Sequence, residues 1–180
     1  MWDLPLAQPS DLLGRTVVIV GSCTPTGPAT ARCAKRAGAQ LIITDRRTGP
    51  LEDLADEIGV EATATFDESD PDQLEAFLGG LPGPIDHLVL CGGEPRCTAR
   101  YVRQEMRDGG SLVVVTAIGT AGWSALVASL AAAVAPIRVN LIIGGVAEAV
   151  ASLAVRLMID PSVSGAVVSP EAPCGGSGVN

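Results

Sequence analysis

Short runs of aliphatic and β-branched residues recur along the chain, and a stretch of helical composition follows each one. Thr16–Val20 (TVVIV), Leu41–Thr44 (LIIT), Glu61–Phe66, Ile85–Leu90, Ser111–Val115 and Ile137–Ile143 read as strands, with Gly165–Ser169 as a last one. Helices are predicted over Pro28–Ala37, Leu51–Ile58, Pro71–Leu78, Arg100–Arg107, Ser124–Ala135 and Val150–Ile159. Local signals mark their ends. Pro28 and Pro71 fall in first turns, Asp70 or Ser69 can cap, Gly38 and Gly59 stop a helix, and Asp108-Gly109-Gly110 is expected to stop another. The strands are continuously apolar rather than alternating, so both of their faces are buried. That pattern predicts an α/β fold: a doubly wound parallel sheet of six to seven strands, helices on both faces, joined by right-handed crossovers. With 180 residues and no internal repeat, one domain is expected over residues 1–180, with 170–180 as a loose tail.

Composition narrows the partners. Hydrophobic residues make up 47% of the chain, enough for a sizeable core. The net charge of −8 argues against nucleic acid or an anionic membrane as a partner. The acidity is spread over residues 45–75 and reads as a solvated face. The five cysteines are Cys23, Cys33, Cys91, Cys97 and Cys174; none has CxxC spacing, and His87 is the single histidine. A zinc site takes about four N or S ligands in compact pairs, so no metal site is expected. The cysteine usage and the lack of a basic region followed by an apolar run in MWDLPLAQPSD point to the cytoplasm. No stretch reaches the roughly 18 uninterrupted apolar residues of a membrane span.

One end of the predicted sheet suits a phosphate. A strand, a glycine-bearing turn and a helix start present N–H groups and a helix dipole to an anion. An acidic residue ending the second strand can bond an adenosine ribose; Asp45 stands 18 positions after Gly27, near the usual ~20. These motifs, and their order from Leu13 to Gly176, resemble the short-chain dehydrogenase/reductase family. The family's TGxxxGxG loop is represented by Val20-Gly21-Ser22-Cys23-Thr24-Pro25-Thr26-Gly27, with Gly21 and Gly27 matching and Pro25 in place of the middle glycine. GAQLIITD (Gly38–Asp45) is similar to the strand of NAD-preferring members. Asp67 sits where an aspartate often lies near adenine. DHLVLCGG (Asp86–Gly93) resembles D-x-LVNNAG and supplies Gly92. GGSLVVV, IRVNLI, Gly144-Gly145 and Cys174-Gly175-Gly176 match later motifs. The resemblance implies a Rossmann-like fold and a cofactor site of Gly21, Gly27, Asp45, Asp67 and Gly92. Proline brings bulk and no N–H, and Pro25 and Pro28 together remove two potential donors. Two readings stay open: a preserved turn that no longer binds cofactor, or weak NAD binding held by Asp45.

The resemblance also implies a catalytic Ser, Tyr, Lys and Asn. The tyrosine exchanges a proton with the substrate oxygen, and a lysine four residues on lowers its pKa. The chain has one tyrosine, Tyr101, and one lysine, Lys35, which are 66 positions apart. Thr116-Ala117 replaces Ser-Ser, so Ala117 takes the serine position. Matching Ser129–Pro136 to the family's active-site helix leaves its first turns deleted, and the Gly93–Gly109 segment is short where a helix supplies the asparagine. No family catalytic set remains. Cys91 and Thr116, near strand ends, are the substitutes to weigh, with Glu94, Arg96 and Thr120 nearby; Cys91 has no adjacent base, and a small buried cysteine is the simpler reading. His87, inside a strand, reads as structural.

Three functions follow as expectations. The first is a non-catalytic subunit that pairs with an active NAD-dependent dehydrogenase paralogue, or with a second copy. The second is an enzyme using the crevice for isomerisation, cyclisation or dehydration of a small metabolite. The third is a weak nucleotide-binding module. The resemblance implies one interface through the helices around 100–107 and 124–135, and another through the helix 150–159 and the final strand.

Overall fold

Strands with large apolar side chains on both faces need cover above and below, and the structure supplies it. The computed structural model describes residues 11–60, 62–91, 95–119 and 121–170. The order is β1 (Thr16–Val20), α1 (Gly27–Arg36), β2 (Gln40–Asp45), α2 (Thr48–Ile58), β3 (Ala62–Thr65), α3 (Pro71–Gly79), β4 (Ile85–Leu90), α4 (Pro95–Glu105), β5 (Met106–Thr116), α5 (Trp123–Val134), β6 (Arg138–Ile143), α6 (Ala147–Ile159) and β7 (Val167–Val168). The strands form one parallel sheet in the order β3-β2-β1-β4-β5-β6-β7. This is the expected doubly wound, Rossmann-like architecture.

Alternate strand residues feed two separate cores. Val17, Ile19, Leu41, Ile43, Val89, Val113 and Ile142 pack with Ala31 and Ala34 of α1, Leu51 and Leu54 of α2, and Val150 and Ala154 of α6. Val18, Val20, Leu88, Leu90, Leu112, Val114 and Leu141 pack on the other face with Leu74 and Leu78 of α3, Val102 of α4, and Val127 and Val134 of α5. The small residues of α1 let α6 approach it closely. There α6 buries Val150, Ala151, Ala154, Val155, Leu157 and Met158. Much of the apolar composition of α6 is therefore buried within the chain. In contrast, α5 buries only Val127 and Val134 and leaves Ala125, Ala128, Ser129, Ala132 and Ala133 exposed.

Most element ends fall within a few residues of their expected places; two differ more. α4 starts at Pro95 rather than Arg100, and the Asp108-Gly109-Gly110 stretch, expected to stop it, lies inside β5. The register explains this. β5 advances from Met106 to Ser111 while β4 advances only from Ile85 to His87. The extra residues form a bulge. Gly109 turns there at φ +79°, and a Cβ on Gly110 would stand 2.4 Å from the Asp86 carbonyl oxygen. These glycines therefore serve a strand irregularity. Glu61, the outer end of the third predicted strand, lies outside the described residues, as do Gly92, Gly93, Glu94, Thr120 and the Cys174-Gly175-Gly176 motif. Among the described residues, no helix is long and apolar enough to cross a membrane.

Candidate functional site

The chain turns away from β1 in one direction, to β2, and from β4 in the other, to β5. Their C-terminal ends therefore bound a crevice, the place where open α/β sheets take ligands. The loop after β1 forms its floor. Gly21 is buried at φ +75°, which only glycine adopts without strain. Ser22 is fully buried and anchors the loop to β2: its N–H and Oγ donate to the Thr44 carbonyl at 2.8 and 3.0 Å. Gly27, first residue of α1, packs against Ser22 so tightly that a Cβ would stand 2.2 Å from the Ser22 carbonyl oxygen. The Gly27 N–H closes a turn onto the Thr24 carbonyl at 3.2 Å. The two glycines matched from sequence are thus structurally required, whatever the loop binds. Pro25, in place of the middle glycine, is exposed.

Asp45 ends β2 as expected and is 3% exposed. Its Oδ2 accepts the Cys23 N–H at 2.9 Å, and its Oδ1 accepts the Arg47 N–H at 3.1 Å and Nε at 3.3 Å. Arg47 also donates from Nη2 to the Cys23 carbonyl at 2.6 Å. The sequence reading missed Arg47; the signal was there, in two arginines directly after the acidic end of a strand. Burial raises the Cys23 thiol pKa, and the Asp45 charge raises it further. Asp67 is exposed, at the end of β3. It accepts the Ser69 N–H at 3.0 Å, and its own N–H donates to Gln73 Oε1. Glu68 beside it has one buried carboxylate oxygen without a hydrogen-bond partner.

On the other side of the crevice, Cys91 follows β4, its N–H donating to the Val20 carbonyl at 2.9 Å. Burial pushes its thiol up to about 12, against the opposing pull of the Thr26 and Thr24 hydroxyls beside it. The Thr24 hydroxyl is itself buried and, among the described residues, reaches strict hydrogen-bond geometry with no group. A thiol held this far above its usual value is not a nucleophile near neutrality. The Thr116 hydroxyl accepts the Ile118 N–H at 3.3 Å, closing a turn of its own backbone. Ala117, at the serine position, is exposed and brings no functional group. Ile118 and Val146, at the ends of β5 and β6, are 69% and 58% exposed, so this edge of the crevice is apolar.

The residues expected to be absent from the crevice are found elsewhere. Tyr101, on α4, is hydrogen-bonded to Glu75 of α3, which raises its pKa. Lys35, on α1, lines a groove of about 490 Å³ with Arg32, Glu57, Glu148 and Ser152. No residue of β1, β4 or β5 contributes to that groove. His87 lies inside β4: it is 6% exposed, its Nδ1 lies 2.9 Å from Ser111 Oγ, and burial lowers its pKa to about 4.

No family model matches the chain. Two relatives resemble it over about half its length. A probable oxidoreductase of Streptomyces antibioticus is 34% identical over 89 residues, 46% of this chain and 30% of that protein. The serine 3-dehydrogenase of Agrobacterium fabrum is 35% identical over 102 residues, 54% of this chain and 41% of that protein. The matched stretches thus span less than half of these relatives. Among solved structures, BdcA from E. coli superimposes with a TM-score of 0.80 at 22% identity, covering 88% of this chain and 99% of that one. A short-chain dehydrogenase/reductase from Serratia marcescens gives 0.76 at 17% identity, covering 88% and 97%. Along most of its length the chain thus has the fold of these short-chain dehydrogenase/reductase structures, and over about half of it the sequence is similar to oxidoreductases.

Proposed function

We propose that this chain is a non-catalytic subunit of the short-chain dehydrogenase/reductase type, which packs against an active NAD-dependent dehydrogenase and supports it. One observation carries the reading: the only tyrosine and the only lysine stand on α4 and α1, in the surroundings of Glu75 and Arg32, and Ala117 holds the serine position. Among the described residues of the crevice, neither candidate offers a ready substitute: burial raises the Cys91 thiol pKa, and the Thr116 hydroxyl bonds within its own turn. A proton cannot be delivered to a carbonyl oxygen at this strand edge by the usual route. The partner surface we assign is α5, whose exposed Ala125, Ala128, Ser129, Ala132 and Ala133 allow another helix to come close. The test is native mass spectrometry of the protein purified gently from its source, with dehydrogenase assays before and after its removal. A hetero-oligomer whose activity or stability falls on removal is the expected result. A monomer or homo-oligomer, with dehydrogenase activity unchanged, overturns the reading.

The nucleotide cleft is read as weakened. BdcA is known in complex with NADPH, and an enoyl-(acyl-carrier-protein) reductase from Anaplasma phagocytophilum, at 18% identity and TM-score 0.79, in complex with NAD. The present loop keeps the Gly21 turn and the Gly27 contact but carries Pro25 and Pro28, which offer no N–H to a phosphate.

A further inference from the structure

At the end of β2 the chain places its own groups where a ligand's would go. A dinucleotide ribose offers two hydroxyl donors to the carboxylate at this position. Both Asp45 oxygens already have donors: the Cys23 N–H on Oδ2, and the Arg47 N–H and Nε on Oδ1. The Arg47 guanidinium then continues to the Cys23 carbonyl at 2.6 Å, joining the end of β2 to the loop after β1. Those two segments are the walls between which a ribose enters. The carboxylate side chain is 3% exposed and the arginine 53%, so the acid is hidden under a base whose own outer side is open to solvent.

We infer that Arg47 is a latch on the ribose subsite, an internal occupant that a nucleotide must displace before it can reach Asp45. The chemistry favours the latch over the neutral ribose that would displace it. Hydrogen bonds to the carboxylate are charge-assisted in either case, but the guanidinium adds the attraction of opposite charges, which the ribose hydroxyls do not bring. Opening also breaks the bond to the Cys23 carbonyl. Apparent affinity for NAD(H) is then the intrinsic affinity scaled by the fraction of molecules in which the latch is open. This inference goes beyond the subunit reading and is independent of it, because it concerns binding alone and no partner.

The test is calorimetric titration of the full chain with NADH at low salt. It compares the unaltered protein, Arg47→Ala, Arg47→Gln and the double variant Asp45→Asn/Arg47→Ala. More than half of the Arg47 side chain is exposed, so the fold is expected to tolerate its loss, and thermal melts check this. Arg47→Gln serves if the alanine variant melts early. The expected result is NADH binding about tenfold tighter in both single variants, a change of ~1.4 kcal/mol. The double variant is expected to lose that gain, because the freed carboxylate is what receives the ribose. Raising the salt should narrow the gap between the unaltered protein and the variants by screening the ion pair. The inference is overturned by single variants that bind no tighter than the unaltered protein. It is also overturned by absence of binding in all four proteins, which would leave the loop prolines as the barrier, or by a double variant that keeps the gain.

Discussion

Replacing Arg138 with methionine should destabilise the protein more than any surface change. Arg138 lies at the start of β6, is 8% exposed, and points its guanidinium at the C-terminal end of α6. Nη1 donates to the Leu157 and Asp160 carbonyls, both at 2.6 Å, and Nη2 to the Met158 carbonyl at 2.7 Å. A helix leaves its last carbonyls without partners and carries partial negative charge there, and this one arginine answers both needs. Each hydrogen bond to a charged group is worth about 1.5–3 kcal/mol, but three made by one guanidinium do not add. Two costs reduce the sum. Burial depresses the Arg138 pKa, a sign that the charge is incompletely compensated, and Nε is buried without a partner. Methionine keeps much of the apolar stem and drops all three donors. We expect a net loss of about 2–4 kcal/mol, and a Tm lower by roughly 5–15 °C for a chain of this size. Urea unfolding followed by far-UV circular dichroism measures it, with the midpoint shifting and the slope held. Arg138→Lys should recover part of the loss, since one ammonium cannot reach all three carbonyls in the same geometry. A loss below about 1 kcal/mol for Arg138→Met would refute the view that this residue holds α6 onto the sheet.

Three further outcomes are expected. His87 has a folded pKa of about 4 against 6.5 for the free side chain, so between those values the unfolded chain binds the extra proton. Stability should therefore fall as pH drops from about 6.5 towards 4, by up to about 3 kcal/mol, and His87→Gln should flatten that limb in urea melts across the range. Gly27→Ala should cost at least ~2 kcal/mol and shift amide signals of Ser22 in NMR spectra, because the added carbon meets backbone atoms that cannot move aside. The half-buried Cys91 thiol should react with iodoacetamide at pH 8 at least ~tenfold more slowly in the folded protein than in urea, as peptide mass spectrometry would read; equal rates would deny that its surroundings raise its pKa.

Much of the fold was readable because its code is local. Short β-branched runs such as TVVIV, bounded by turn residues, fit a sheet covered on both faces, and caps such as Asp70-Pro71 mark helix starts directly. The β5 bulge was not readable. Gly109-Gly110 is an ordinary helix-stop signal, and only the contact with the Asp86 carbonyl, more than twenty residues away in sequence, turns it into part of a strand. The packing of α6 was not readable either, since its partner, the small-residue face of α1, is far off in the chain. In the site, residue positions were legible and side-chain commitments were not. Asp45 stands where its spacing placed it, yet which donors fill its oxygens depends on how Arg47 folds back over the loop. Thr116 looked available from its place at a strand end, and its hydroxyl is consumed by the next turn.

The strand order has a consequence for synthesis. β1 is a central strand: β2 covers one of its edges after a short crossover, while β4, paired from Val17–His87 to Val20–Leu90, covers the other. A nascent chain that has completed β1, α1 and β2 therefore presents an apolar strand with one row of unpaired backbone groups. That row stays open until the segment around Ile85–Leu90 leaves the ribosome. At ~5–20 residues per second the stretch from Asp45 to Leu90 takes about 2–9 s, long for an apolar edge in a crowded cell. Folding of this sheet is thus gated by translation of its fourth strand, and the segment between Asp45 and Ile85 sets how long the centre of the protein waits for its neighbour.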